Sequence, residues 1–152
     1  MTVTRLIHTN IVCQSLDTSL RFYVDLLGGT VHQFLDEKHD LRPSLGTTDR
    51  GSAGYKAALV YFGDARGGPY LDLLEWDGDR DPDYDSRNQG FTRGLARVAL
   101  EVPDLADSVA RMESTGHPLL GTVQEERFGP WPMQLAFFAD PDGVLVELVE
   151  FV

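Results

Sequence analysis

Glu147 sits inside the apolar run Val144-Leu145-Val146-Glu147-Leu148-Val149. In an extended chain Val144, Val146 and Leu148 face one side, and Leu145, Glu147 and Val149 face the other. A carboxylate in such company needs a partner or a cation. An internal repeat of the chain makes His8 (LIHTNIVC), Asp72 (PYLDLLEW) and Arg97 (LARVALEV) its companions at equivalent positions. Imidazole nitrogen and carboxylate oxygen can bind a divalent metal or move protons. A guanidinium has no lone pair to donate, but it holds a carboxylate or phosphate with two parallel hydrogen bonds. The plainer readings are a structural histidine at a strand start and a Glu147–Arg97 salt bridge without chemistry.

Short elements must carry these residues. A strand from about Thr4 to Cys13 puts Ile7, Thr9, Ile11 and Cys13 on one face, and His8, Asn10 and Val12 on the other. Ser15 can cap a helix with an apolar stripe of Leu16, Leu20, Tyr23 and Leu27, stopped by Gly28-Gly29. Strands are expected over Thr30–Leu35, Tyr55–Phe62 and Pro69–Trp76. The polar stretch Asp36–Gly54, broken by Pro43, Gly46 and Gly51, reads as a mobile loop or flap. After the acidic stretch Asp77–Gln89 come a strand (Leu95–Val102) and a helix capped by Asp104 with Leu105, Val109 and Met112 inward. Strands over Thr122–Phe128 and Pro132–Phe138 follow. The turn Asp140-Pro141-Asp142-Gly143 then leads into the last strand. The alternating aspartates after Trp76 do not fit a calcium loop. Its glycine and bidentate glutamate places hold Pro82 and Asn88, so a solvated linker is the better reading.

A chain of 152 residues makes one ordinary domain or two small halves sharing a core. The formal charge of −11 works against nucleic acid as a partner. No apolar run reaches membrane-spanning length, and the N-terminus lacks the pattern of a secretory signal. The lone Cys13 cannot form an intrachain disulfide, which suits a cytoplasmic location, and its strand parity places it in the core. His32, His39 and His117 lie in or near loops without partners at ligand spacing and read as solvated, although His39 on the flap could close over a substrate.

The pattern repeats. HTNIVCQSLDTSLRFY aligns without a gap on RVALEVPDLADSVARM, setting His8 on Arg97, Ile11 on Leu100, Leu16 on Leu105 and Leu20 on Val109. PYLDLLEW aligns on VLVELVEF, setting Asp72 on Glu147. Both halves read strand, helix, three strands, and a two-fold repeat means a paired architecture and not a solenoid. The expected division is 1–76, an acidic linker 77–90, and 91–152.

His8 with its SLDTSLRFYVDLLG helix, then LARVALEVPDL, then FFADPDGVLVELVE, in this order, resembles the vicinal oxygen chelate superfamily of glyoxalase, bleomycin-resistance and dioxygenase-like proteins. The resemblance covers nearly the whole chain. It implies an α+β fold of two βαβββ modules whose sheets curl around a shared cavity, and a homodimer. It also implies a divalent metal ion held by residues of the first and fourth strands. Carried over, the corners are His8, Asp72, Arg97 and Glu147. His8 and Glu147 match the pattern, Asp72 is one methylene short, and Arg97 departs from it.

The expected metal ligands are therefore His8, Asp72 and Glu147, with Arg97 turned aside to hold a substrate anion. The expected chemistry is of isomerase, epimerase or lyase type on a small carbonyl or carboxylate metabolite. In a metal-free version Arg97 stabilises the oxyanion and Glu147 or Asp72 is the base. Glu101, Asn10, Tyr70 and Trp131 are expected at the substrate, while Phe137 and Phe138 read as ordinary core or dimer interface. Ring cleavage by iron needs two histidines and a carboxylate, so the arginine at position 97 speaks against it and, for a similar reason, weakens the case for glyoxalase I chemistry. The alternative is a metal-free protein that sequesters a small molecule on aromatic surfaces.

Overall fold

The computed structural model describes residues 3–37, 54–64, 68–77, 95 and 97–152. The chain divides into two compact units, Met1–Pro82 and Asp83–Val152. The first holds β1 (His8–Val12), α1 (Leu16–Leu20), β2 (Thr30–Glu37), β3 (Tyr55–Tyr61) and β4 (Tyr70–Trp76). The second holds β5 (Arg97–Glu101), α2 (Leu105–Ser114), β6 (Gln124–Phe128), β7 (Trp131–Ala139) and β8 (Leu145–Phe151). Each is a βαβββ module. The expected flap lies outside the described residues except for its ends, where Asp36 and Glu37 extend β2. The expected linker likewise lies outside them apart from Asp77.

The two sheets have the same topology, β1-β4-β3-β2 and β5-β8-β7-β6. In each, the first strand runs parallel to the fourth, and the other pairs are antiparallel. The parallel registers also correspond: Asn10 lies opposite Asp72, and Ala99 opposite Glu147. Each sheet buries one face under its helix. In the first unit that core includes Ile11, Cys13, Leu16, Tyr23, Val60 and Leu73. In the second it includes Leu105, Met112, Ala136, Phe138, Val146 and Leu148. His8, Asp72, Arg97 and Glu147 have the opposite parity, so each lies on the sheet face turned away from its helix.

The first helix differs from expectation. Ser15 caps it, its Oγ accepting from the Thr18 amide at 3.3 Å, but after Leu20 the chain widens into a π-helical turn over Arg21–Leu26. The wider turn buries both Phe22 and Tyr23, their rings edge to face at 5.0 Å, and leaves Leu20 and Leu27 only half-buried. Gly28 ends the segment at φ 77°. Gly29 is needed for closeness, because a Cβ there would lie 2.6 Å from the Tyr23 carbonyl oxygen and 2.7 Å from Val60 Cγ1.

Both helices are anchored from below by a carboxylate. The Leu16 amide donates to Glu75 at 2.7 Å, and the Leu105 amide donates to Glu150 at 2.8 Å. These N–H groups have no intrahelical acceptor, so the glutamates satisfy them and complement the helix dipole. Asp104 caps α2 as expected, accepting from the Asp107 amide at 2.8 Å. At the turn before β8 the buried Asp140 accepts from the amides of Asp142 (2.9 Å) and Val144 (2.7 Å), with Gly143 at φ 87°.

Candidate active site

In the first unit, β1 and β4 bring His8, Asn10 and Asp72 onto one face. Asp72 is only 7% exposed. Asn10 Nδ2 donates to its Oδ2 at 2.9 Å, while Oδ1 is buried without any hydrogen-bond partner among the described residues. Burial raises the Asp72 carboxyl above its ordinary value, against the opposing pull of the His8 charge and the Asn10 hydrogen bond. A carboxylate oxygen taken out of water and given nothing is destabilising. Such an arrangement is what a site prepared for a cation or a donor from a ligand looks like.

The corresponding corner of the second unit is already charge-paired. Arg97 Nε donates to Glu147 Oε2, with Arg97 half-exposed at 49% and Glu147 nearly covered at 7%. The guanidinium carbon also lies 5.5 Å from the centre of the Phe137 ring, a cation–π contact. Glu147 Oε1 has no hydrogen-bond partner among the described residues, and the outer nitrogens of Arg97 are left for other acceptors. Among the described residues no three His, Cys, Asp or Glu side chains gather into a metal-binding group. The first corner contributes two possible metal ligands, His8 and Asp72. At the second, Arg97 can contribute none.

The remaining expected residues are distributed unevenly. Glu101 is exposed on the Glu147 face, two residues beyond Ala99 along β5. Tyr70 lies opposite His8 and shares the Asp72 face. Trp131 stands apart from the Arg97–Glu147 pair within its unit. It occupies the β6–β7 hairpin end, 58% exposed and stacked on Phe128, six residues or ~20 Å along β7 from Phe137.

Other expectations need correction. Phe138 is core, but Phe137 lies on the Glu147 face beneath Arg97. His32 is exposed, yet it is not a lone solvated ring: it stacks on Tyr70 at 5.0 Å and meets Tyr61 edge-on at 6.5 Å. His117 is half-buried, and His39 lies outside the described residues. Glu75 and Glu150 were not singled out, although the offset that sets Asp72 on Glu147 also sets one on the other. That coincidence was the available signal for a shared structural role.

With this geometry in place, comparison with known proteins decides the family. The model of the Glyoxalase/Bleomycin resistance protein/Dioxygenase superfamily matches residues 5–148. The chain belongs to that superfamily. A Synechocystis protein named "Probable lactoylglutathione lyase" is 30% identical over 151 residues, covering 95% of this chain and 94% of its own. The lactoylglutathione lyase of Neisseria meningitidis serogroup A is 26% identical over 147 residues, covering 96% and 90%. Among solved structures, a glyoxalase family protein from Bacillus cereus superposes with a TM-score of 0.81 at 21% identity, covering 100% of this chain and 97% of that one. The trypanothione-dependent glyoxalase I of Leishmania major gives 0.62 at 25% identity, covering 97% and 87%. The paired βαβββ fold expected from the repeat is therefore the fold of the superfamily.

Proposed function

We propose that this superfamily member is an enzyme of lyase or isomerase type, acting on a small carbonyl or carboxylate metabolite with the aid of a divalent metal ion. The observation that carries this reading is the buried Asp72 carboxylate with Oδ1 left open beside His8 and Asn10. The names of the lactoylglutathione lyase relatives support the lyase class. His8 and Asp72 suit the ion as nitrogen and oxygen donors within the first unit. Bound there, the ion would polarise a substrate carbonyl and acidify the neighbouring C–H.

The chain's own groups do the rest. Asn10 fixes Asp72 by holding Oδ2, which keeps Oδ1 directed at the ligand. Arg97 anchors Glu147 through Oε2 and offers its outer nitrogens to a substrate carboxylate or phosphate. The proton leaving carbon goes to a carboxylate oxygen that the ion does not hold. Its return to the adjacent carbon gives isomerisation. Departure of a leaving group instead gives the lyase reaction. Elemental analysis of untagged protein tests the reading. A stoichiometric divalent ion in the parent, lost in His8→Ala and in Asp72→Asn, is expected; full retention in both variants refutes it.

One observation favours a second reading, a metal-free protein that sequesters its ligand: Arg97 already neutralises Glu147. Tight ligand binding without turnover, unaffected by His8→Ala, would select that alternative.

A further inference from the structure

We infer that His32, Tyr61 and Tyr70 form an aromatic wall that selects substrates carrying a flat aromatic group next to the reacting carbonyl. Three observations within the first unit carry this. The rings of His32 and Tyr70 are stacked at 27° with centroids 5.0 Å apart. Tyr61 stands nearly perpendicular to both, at 73° and 80°, with centroids 6.5 Å away in each case. Together they make an inside corner in which a further ring can stack on one wall and meet the other edge to face, the two arrangements aromatic pairs prefer.

The corner adjoins the candidate reacting groups. Tyr70 pairs with His8 across β1–β4 and precedes Asp72 by two residues, ~7 Å on the same face. Tyr61 follows Leu59, the β3 residue opposite Asp72. His32 reaches the corner through an irregularity of backbone. The β2–β3 register shifts between Val31 and Gln33, so His32 is an extra residue that nothing on β3 opposes. Such bulges re-aim a side chain and are frequent beside active sites. The plain alternative is cross-strand packing that only stabilises the sheet. Against it, His32 remains exposed and both tyrosines are only half-buried, so the corner stays partly open to solvent.

The inference rests on the reading of His8 and Asp72 as the reacting corner and adds the substrate class. Benzoylformate and pyruvate share an α-keto carboxylate and differ in phenyl against methyl, so calorimetric titration of the full chain with each isolates the wall. Benzoylformate should bind about tenfold more tightly, and His32→Ala should weaken it about two- to tenfold while leaving pyruvate unchanged. His32→Phe should restore the preference, and nuclear Overhauser contacts should link the phenyl protons to residue 32. Equal affinity for the two probes, no saturable binding of benzoylformate, or an equal loss for both in His32→Ala overturns the inference. The metal content of His8→Ala tests the underlying functional reading separately, and its outcome does not alter this comparison.

Discussion

Replacing Asp72 by asparagine should make the metal-free protein more stable. Asp72 Oδ1 is buried without a hydrogen-bond partner among the described residues, and burial raises the carboxyl's proton affinity. An unsatisfied buried acceptor costs ~1–3 kcal/mol. Asparagine removes the charge but leaves an amide in the same space, so a gain near the lower limit, ~1 kcal/mol, is expected. For a chain of this length that is ~2–4 °C in melting temperature. The sign with pH follows from the raised folded-state value, which is opposite to the usual behaviour of an aspartate. Folding favours the protonated form, so the contribution is fully present below the ordinary value of 3.8 and is lost as pH rises through the folded value. The advantage of Asp72→Asn should thus be greatest at neutral pH and vanish below 3.8. Glu125→Gln, exposed on β6, controls for the loss of one negative charge from a chain of net −11. Divalent metal should then reverse the order. Binding to the parent alone adds ~2.7 kcal/mol at a hundred times its Kd, while Asp72→Asn gains little. Calorimetric melts after chelation and after metal addition measure both halves. A variant less stable than the parent without metal, or equally stabilised by metal, would refute the assignment of Asp72 as a prepared ligand.

Other consequences follow from the same contacts. Arg97→Ala strands the covered Glu147 carboxylate and should destabilise the second unit by ~1–3 kcal/mol in denaturant midpoints; adding Glu147→Gln should recover most of it. Glu150→Ala removes the acceptor of the Leu105 amide and should cost ~0.5–2 kcal/mol, with Glu75→Ala behaving alike at Leu16; an unchanged melt would mean water serves equally well. Gly29→Ala forces a methyl against the Tyr23 carbonyl and Val60, and should cost ~1–3 kcal/mol by chemical denaturation.

Much of the architecture was legible because it depends on periodicity and local chemistry. Alternation along the last strand put Glu147 opposite Val146 and Leu148, and the buried faces agree. Ser15 and Asp104 cap their helices because short polar side chains satisfy the first free amides. Aligning the first strand and helix of the two halves, and separately their fourth strands, paired His8 with Arg97 and Asp72 with Glu147, and both sheets reproduce that register. The π-helical turn was not legible, since Leu16, Leu20, Tyr23 and Leu27 fit ordinary helical spacing.

The order of residues alone thus determined the repeat, the module pattern and which side chains share a sheet face, for these follow from short-range backbone geometry. Only tertiary structure decided the state of each group. It left one oxygen of Asp72 bare, engaged Glu147 with Arg97, and swung His32 through a bulge onto Tyr70. Burial, hydrogen-bond satisfaction and ring contact depend on neighbours distant in the chain, and these exist only once the strands have paired.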